Sequence, residues 1–277
     1  MPYKTVLVHV DESSHASERI KIAAAIAMAE NAHLIGTAMT GASRYLVQTQ
    51  AGLAPNLKAH LDFLRERAMR GLTDFDATAQ KLGIPSFEKR LVDDEAGGGI
   101  CLQARYADLV VIGQNDPAEI SPVVMPDFPE YVVLHSARPV LLVPYSGHFE
   151  KIGHHVLIAW DASMPATRAV SNAIPLLRRA QAVQVVVFNP DARHQAHGAL
   201  PGSDIALYLA RHDIKVEVLQ RTTAREVGIE LLALAAELQS DLVVMGGYGH
   251  TRFREILLGG VTSTVLDAMR TPVLMSH

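Results

Sequence analysis

The feature of this chain that most constrains its fold is an internal repeat. The run TVLVHVDESSHAS at residues 5–17 is echoed by HVLIAWDASMPAT at 155–167. Two further pairs of runs follow in the same order: ADLVVIG (107–113) with SDLVVMG (240–246), and ARPVLLV (137–143) with RTPVLMS (270–276). Three matched pairs in one order indicate a duplicated domain.

The repeat predicts two domains, residues 1–146 and 153–277. The run PYSGHFEKIGHH at 144–155, which contains Pro, Gly and Ser, lies at their junction. A length of 277 residues agrees with this division, because single domains most often have about 100 to 150 residues.

Within each copy, short apolar runs rich in Val, Leu and Ile alternate with helical patterns. In the second copy these runs are 155–160, 183–188, 214–219, 241–245 and 272–275. Near-continuous apolar runs are typical of strands buried on both faces of a parallel sheet. The sequence therefore predicts an α/β fold of two tandem, doubly wound, five-stranded parallel-sheet domains of Rossmann-like type.

Two helix starts are predicted in the second copy. Ser163, followed by Pro165, suits a helix cap and first turn. Thr223 with Glu226 has the spacing of a capping box.

Charge and composition exclude several classes of protein. The formal net charge is −4 and the charges are interspersed, so we expect neither a nucleic-acid partner nor binding to a membrane surface. No apolar run has the roughly 20 residues that span a bilayer, and the first residues do not resemble a signal peptide. The single cysteine, Cys101, fits a reducing compartment, and we expect it to be a small buried residue in a cytoplasmic protein.

A glycine-rich segment in the second copy is the main candidate for a ligand site. Gly246, Gly249 and Gly259 have the spacing G-x2-G-x9-G between an apolar run and a helical pattern. Backbone N–H groups of such a turn and of a helix N-terminus bind anions. Asp161 ends the first predicted strand of this copy and Phe188 ends the second, so both are expected beside the glycines at the carboxyl ends of the strands.

Other nucleotide motifs are absent from the sequence. The first strand of the second copy is not followed by G-x-G-x-x-G, and the chain has no G-x-x-x-x-G-K-[ST] run. The sequence therefore favours neither a dinucleotide-binding domain nor a P-loop enzyme.

The runs VLIAWDAS, LVVMGGYGHTRFREILLGGVTSTVL and TPVLMS, in this order, resemble the universal stress protein family in its tandem, two-domain form. The resemblance implies an adenine-nucleotide site for ATP, ADP or AMP, with Mg²⁺ as a companion of the nucleotide, and a regulatory stress-response role. The implied positions are Ala159, Trp160 and Asp161 near adenine, Met245, Gly246 and Gly249 near ribose and phosphates, and Gly259, Gly260, Val261 and Thr262 as donors.

One position departs from the family pattern. Gly260 stands where ATP-binding members prefer Ser or Thr, so a side-chain hydroxyl to phosphate is missing unless Thr262 replaces it. One neutral hydrogen bond contributes about 0.5 to 1.5 kcal/mol, so a weaker site is expected. His250 and Arg252 lie beside the glycines and are candidates for phosphate contacts, with a solvated charged face as the alternative.

The first copy lacks the glycines. Asp116 stands where the second glycine is expected and Asp127 lies near the place of the third. Carboxylates repel phosphates, so we predict that the first domain does not bind ATP. Three consecutive glycines, 97–99, begin a predicted helix there, and the sequence leaves open whether they serve close packing or mobility.

No catalytic residues are predicted, because the chain shows no carboxylate pair for magnesium and no P-loop lysine. A slow ATP hydrolase or phosphotransferase that uses His250 as a base, and a ligand-free interaction scaffold, are the alternatives. The pairs His154–His155 and His194–His197 lack further ligands in the sequence, so no metal site is predicted. The resemblance also implies that the runs RPVLLVP and TPVLMS pair within the chain as an intramolecular pseudo-dimer, and a further homodimer is left open.

Overall fold

The computed structural model describes residues 2–43, 55–119, 121, 123–190, 200–248 and 260–277. The chain divides into two compact units, Pro2–Arg138 and Pro139–His277. Gly249, His250, Arg252 and Gly259 therefore lie outside the described residues, as do His194 and His197.

The described residues of the first unit form four strands that pair in parallel in the order β3-β2-β1-β4. The strands are β1 (Thr5–His9), β2 (His33–Met39), β3 (Phe87–Val92) and β4 (Leu109–Gly113). The helices are α1 (Ala16–Glu30), α2 (Pro55–Lys81), α3 (Ala96–Ala104) and α4 (Phe128–His135).

In the part of the second unit that the structure describes, six strands lie in the order β5-β10-β9-β6-β7-β8. The strands are β5 (Val140–Val143), β6 (His155–Ala159), β7 (Ala182–Phe188), β8 (Glu217–Arg221), β9 (Leu242–Gly246) and β10 (Val273–Ser276). The helices are α5 (Met164–Leu177), α6 (Ser203–Ala210), α7 (Val227–Glu237) and α8 (Val261–Ala268). Each copy thus contributes five strands, and the predicted α/β class is confirmed.

The fifth strand of the first copy belongs to the unit of the second. β5 pairs antiparallel with β10, with Leu141 opposite Leu274, whereas β6 to β10 pair with one another in parallel. The expected pairing of RPVLLVP with TPVLMS is present as this ladder.

Both cores lie along the central strands. Val6, Leu7 and Val8 of β1 are fully buried, as are Leu157 and Ile158 of β6. Burial on both faces follows from covering a parallel sheet with helices, which is why these strands are continuous apolar runs instead of alternating ones. None of the described helices is long and apolar enough to cross a membrane.

One of the two predicted helix starts is wrong. Ser163 caps α5 as expected, since its Oγ accepts a hydrogen bond from the Ala166 N–H at 3.2 Å. Thr223 does not cap α7, because its Oγ1 accepts from the Arg225 N–H in a turn before the helix. The cap is Glu226, whose own carboxylate accepts from the Gly228 N–H.

The three glycines of α3 serve close packing at two positions. A Cβ on Gly97 would lie 2.7 Å from the Tyr131 ring, and one on Gly99 would lie 2.6 Å from Met39. A Cβ on Gly98 would meet nothing within 4 Å. Packing accounts for Gly97 and Gly99, and nothing in the structure explains Gly98.

Cys101, in the same helix, is buried as expected. Burial raises the pKa of its thiol to about 11, so the thiolate that reacts or binds metal is disfavoured at neutral pH.

Candidate functional site

The carboxyl ends of three parallel strands meet in the second unit. β6 lies between β7 and β9, with Ala159 opposite Val186 and Ile158 opposite Val244. Phe188 is the last residue of β7, and Trp160 and Asp161 follow β6 directly. The predicted residues that follow these strands therefore lie at one edge of the sheet, where ligands bind in open α/β folds.

Asp161 shapes the turn that leads into α5. Its Oδ1 accepts a hydrogen bond from the Ser163 N–H at 3.0 Å, and Ala162 between them has a φ of 59°. Trp160 continues the ladder by donating its N–H to the Val186 carbonyl at 2.9 Å. Both side chains are partly exposed, so they can contact a ligand as well as stabilise the turn.

Gly246 is required by the packing of the protein itself. A Cβ at this position would lie 2.5 Å from the Ala166 nitrogen and 2.8 Å from the Pro165 carbonyl carbon. These atoms belong to the first turn of α5, and backbone does not move aside easily. The glycine lets the end of β9 approach the N-terminus of α5, while Met245 before it is 4% exposed in the core.

The N-terminus of α8 supplies backbone donors at the other side of the glycine segment. Gly260 is the N-cap of α8 and has no side chain to cap the N–H groups of the first turn, which begins at Val261. Such N–H groups favour an anion. Thr262 is 4% exposed. Its hydroxyl accepts a hydrogen bond from the Tyr248 N–H at 3.0 Å, so it already links the residues on the two sides of the glycine segment.

The equivalent place in the first unit is filled by an ion pair. Arg19 is 3% exposed, and it donates from Nη2 to Asp11 Oδ1 at 2.8 Å and from Nε to the His9 carbonyl at 2.8 Å. A Cβ on Gly113 would lie 2.5 Å from Arg19 Nη1. The repeat aligns Asp11 with Asp161, Gly113 with Gly246 and Arg19 with Ala169, so one arginine occupies space that the second copy leaves to an alanine.

This ion pair sets the charges of its neighbours. Burial alone would raise the pKa of Asp11, but Arg19, His9 and the hydrogen bonds from Ser13 hold it well below its usual range. Burial lowers the pKa of His9 from 6.5 to about 4, in part against the attraction of Asp11. At neutral pH the first unit therefore presents a charged Asp11, a charged Arg19 and a neutral His9.

A cavity of about 110 Å³ lies at this end of the first unit. Residues that follow β1 and β4 line it, together with side chains from α1, α2 and α4. The two acidic residues expected to repel phosphates have different places. Asp116 lines the cavity, whereas Asp127 is the N-cap residue of α4 and makes no side-chain capping bond.

Sequence reasoning missed a cluster beside this cavity. His15, Asp116 and Glu119 bring their potential metal-ligating atoms within 4.8 Å of one another. At His154 and His155, where the sequence predicts no metal site, the backbone N–H groups donate to the carboxylate of Asp241. His15 and Asp116 are far apart in sequence, so only the sheet topology could have revealed the cluster.

The comparisons with known proteins agree with the duplication. A model of the Universal stress protein family matches the chain twice, at residues 2–144 and 153–277. A universal stress protein of Methanocaldococcus jannaschii is 39% identical over 46 residues, which are 17% of this chain and 28% of that protein.

Two solved structures share the fold over nearly the whole chain. A universal stress protein from Archaeoglobus fulgidus has a TM-score of 0.73 at 16% identity, covering 98% of this chain and 94% of that one. A putative universal stress protein from Pseudomonas aeruginosa has a TM-score of 0.62 at 15% identity, covering 98% and 92%. At such low identity these similarities concern the fold alone.

Proposed function

The chain belongs to the universal stress protein family, and from this premise we propose that its second unit binds an adenine nucleotide, ATP first among them, in a regulatory stress-response role without catalysis. The observation that carries the proposal is the convergence of Asp161, Gly246 and the N-terminus of α8 at the carboxyl edge of one sheet, where Thr262 of α8 bonds to Tyr248 after β9. A carboxylate acceptor suits an amino or hydroxyl group, and helix N–H groups suit phosphate.

The first unit is not proposed to bind ATP. Its first-strand aspartate is engaged by Arg19 at 2.8 Å, whereas Asp161 accepts a hydrogen bond from a backbone N–H in its own turn. Asp116 and Glu119 add two carboxylates to the cavity, where phosphate would meet repulsion. One nucleotide per chain is therefore expected.

Calorimetric titration of the full chain with ATP, ADP and AMP, with and without Mg²⁺, tests the proposal. Asp161→Asn keeps the size of the side chain and removes its charge, and we expect it to weaken ATP binding at least tenfold. The matched control is Asp116→Asn, which removes a carboxylate from the first unit and is expected to leave ATP affinity unchanged.

Two outcomes would overturn the proposal. One is the absence of heat at millimolar ATP, and the other is ATP binding that Asp161→Asn leaves untouched. Measuring released phosphate in the same mixtures tests the alternative that the protein hydrolyses ATP, and release that disappears in His250→Ala would favour that alternative.

A further inference from the structure

The side-chain cluster of His15, Asp116 and Glu119 lies at the mouth of the first unit's cavity. His15 immediately precedes α1, and the two acids lie in the segment after β4. All three line the cavity, with side-chain exposures of 31% for His15, 16% for Asp116 and 37% for Glu119. They are therefore accessible to a small ion and still held by the fold.

The distances within the cluster suit a single metal ion. His15 Nε2 lies 2.8 Å from Asp116 Oδ2 and 3.6 Å from Glu119 Oε2. Metal bonds of about 2.0 to 2.2 Å place neighbouring ligand atoms about 2.8 to 3.6 Å apart in octahedral or tetrahedral geometry. One ion can thus contact all three atoms with only small side-chain movements.

The charges around the cluster are not balanced by protein cations. Asp11 pairs with Arg19, and Glu12 pairs with Arg67 and Arg70. By contrast, within the described part of the chain Asp116 and Glu119 have no lysine or arginine partner. Their hydrogen bonds come from the imidazole of His15, from Ser14 and from the Ala118 N–H.

Two carboxylates on one imidazole leave a net negative charge at this place. The carboxylates of Asp116 and Glu119 have oxygens within 4.8 Å of each other. Their like charges repel at such a separation, and a divalent cation removes that repulsion.

A second observation comes from a different residue of the same cavity. The His9 side chain is 3% exposed and lines the cavity. Its ring takes part in none of the hydrogen bonds between described residues, and its Nδ1 lies 3.7 Å from Asp11 Oδ2, beyond hydrogen-bond length. Because its ring makes no hydrogen bond to a described residue, the His9 imidazole can bind a polar occupant of the cavity, such as water held by an ion.

We propose that the first unit binds one divalent transition-metal ion, of the Zn²⁺ or Mn²⁺ type, through His15 Nε2 and one carboxylate oxygen each of Asp116 and Glu119. Imidazole favours zinc and carboxylates favour manganese, and three protein ligands leave positions for water from the cavity. The ion takes the Nε2 lone pair, so the ring binds as the neutral tautomer with its proton on Nδ1, and an imidazolium releases one proton to solvent. This inference does not depend on nucleotide binding in the second unit.

Cobalt(II) serves as the probe because its visible absorption reports ligands directly. The full chain, without an affinity tag and after treatment with a chelator, is titrated with Co²⁺ in the absence of nucleotide by calorimetry and absorption. We expect one high-affinity ion per chain, displaced by Zn²⁺. His15→Gln and Asp116→Asn should each weaken binding at least tenfold.

Two controls separate loss of a ligand from loss of the fold. His33→Gln alters another exposed histidine beside a glutamate, Glu88 at 3.8 Å, and should leave Co²⁺ affinity unchanged. Glu119→Gln is a further ligand variant, in case His15→Gln unfolds the protein. Thermal unfolding without metal verifies that each variant is folded.

The proposal is overturned if Co²⁺ does not bind stoichiometrically, or if binding survives in folded His15→Gln and Asp116→Asn proteins, which would place the ion at other histidines. Since the assay contains no nucleotide, its failure leaves the ATP proposal standing. Equally, a failed ATP titration leaves the metal site untouched.

Discussion

At the scale of single residues, the two copies differ most beside their first-strand aspartates. Arg19 reaches across to Asp11 and fills the space at Gly113, whereas its counterpart Ala169 is fully buried and carries no charge. A buried arginine needs an anionic partner, so Arg19 commits Asp11 to structure. The corresponding Asp161 has an alanine in place of that arginine.

His9 gives the first unit a predicted dependence on pH. Its folded-state pKa of about 4 lies below the ordinary 6.5, so between these values the unfolded chain binds a proton that the folded chain does not. The free energy of unfolding is therefore not reduced by His9 above about pH 6.5, and it decreases as the pH drops below that value. Between pH 7 and pH 5 the loss is about 2 kcal/mol of the free energy of unfolding.

Urea unfolding at pH 5, 6 and 7 measures this loss. His9→Phe keeps a ring against Phe128, whose centroid lies 4.9 Å away, and removes the titrating group. Between pH 7 and pH 5, the free energy of unfolding of His9→Phe should fall by about 2 kcal/mol less than that of the unaltered protein. His60→Gln, a change at an exposed residue of α2, is the control. Equal pH slopes in His9→Phe and the unaltered protein would contradict the prediction.

Gly260 offers a residue-scale prediction for the second unit. Its φ of −70° and ψ of 176° are accessible to any residue, so a serine fits the backbone. A hydroxyl here adds one hydrogen bond to phosphate, worth about 0.5 to 1.5 kcal/mol, and Gly260→Ser should raise ATP affinity about two- to tenfold. Calorimetry measures the change.

Gly260→Ala is the matched variant, since it adds a methyl group without a hydroxyl. If alanine strengthens ATP binding as much as serine does, the gain is not a hydrogen bond and the placement of phosphate at α8 is wrong.

At the scale of elements, α3 contains two neighbouring glycines whose replacement by alanine should change the stability of the protein in opposite directions. Gly98→Ala should stabilise the protein by about 0.5 to 1 kcal/mol, because alanine favours helix and its Cβ meets open space. Gly99→Ala should destabilise by about 1 to 3 kcal/mol, because its Cβ would lie 2.6 Å from the buried Met39. Thermal or urea unfolding gives both values. A shared sign for the two variants would show that packing does not distinguish these positions.

Elements were the most predictable level of this protein. Continuous apolar runs predicted the central strands because burial between helix layers demands such composition, whereas β8 is largely exposed and polar. The start of α7 was not predictable from Thr223 and Glu226, because Thr223 has an alternative partner in the Arg225 N–H. Asp108 and Asp241, which occupy equivalent positions in the two copies, have a structural role. Each accepts hydrogen bonds from backbone N–H groups at the start of the first strand of its copy.

The site was less predictable than the fold. Spacing placed Asp161 and Gly246 at one sheet edge, but the need for glycine at 246 comes from the first turn of α5, which spacing does not reveal. Nor does sequence show that Arg19 fills the equivalent place in the first copy. The cluster of His15, Asp116 and Glu119 depends on β1 and β4 being neighbours, a pairing that strand order alone determines.

At the scale of the whole molecule, duplication has produced two units with different contents. The division between them falls after Arg138, so the last apolar block of the first copy, Val140–Val143, contributes its strand to the second unit. The second unit keeps a glycine-bounded edge suited to an anion. The first has an ion pair, a cavity and an acidic cluster in the equivalent region.

This difference predicts where ATP protects the backbone from hydrogen exchange. A ligand at one hundred times its dissociation constant stabilises the state that binds it by about 2.7 kcal/mol, equivalent to about 100-fold slower exchange of amides that open only by unfolding. We expect this protection in β6, β9 and α8 of the second unit and not in β1 or β4 of the first. Hydrogen exchange with mass spectrometry on the full chain, with and without ATP, measures both. At the same ATP concentration, Asp161→Asn should reduce the protection from about 100-fold to about tenfold or less. Protection confined to Pro2–Arg138 would assign the nucleotide to the first unit, because a ligand slows exchange only in the structure whose unfolding releases it.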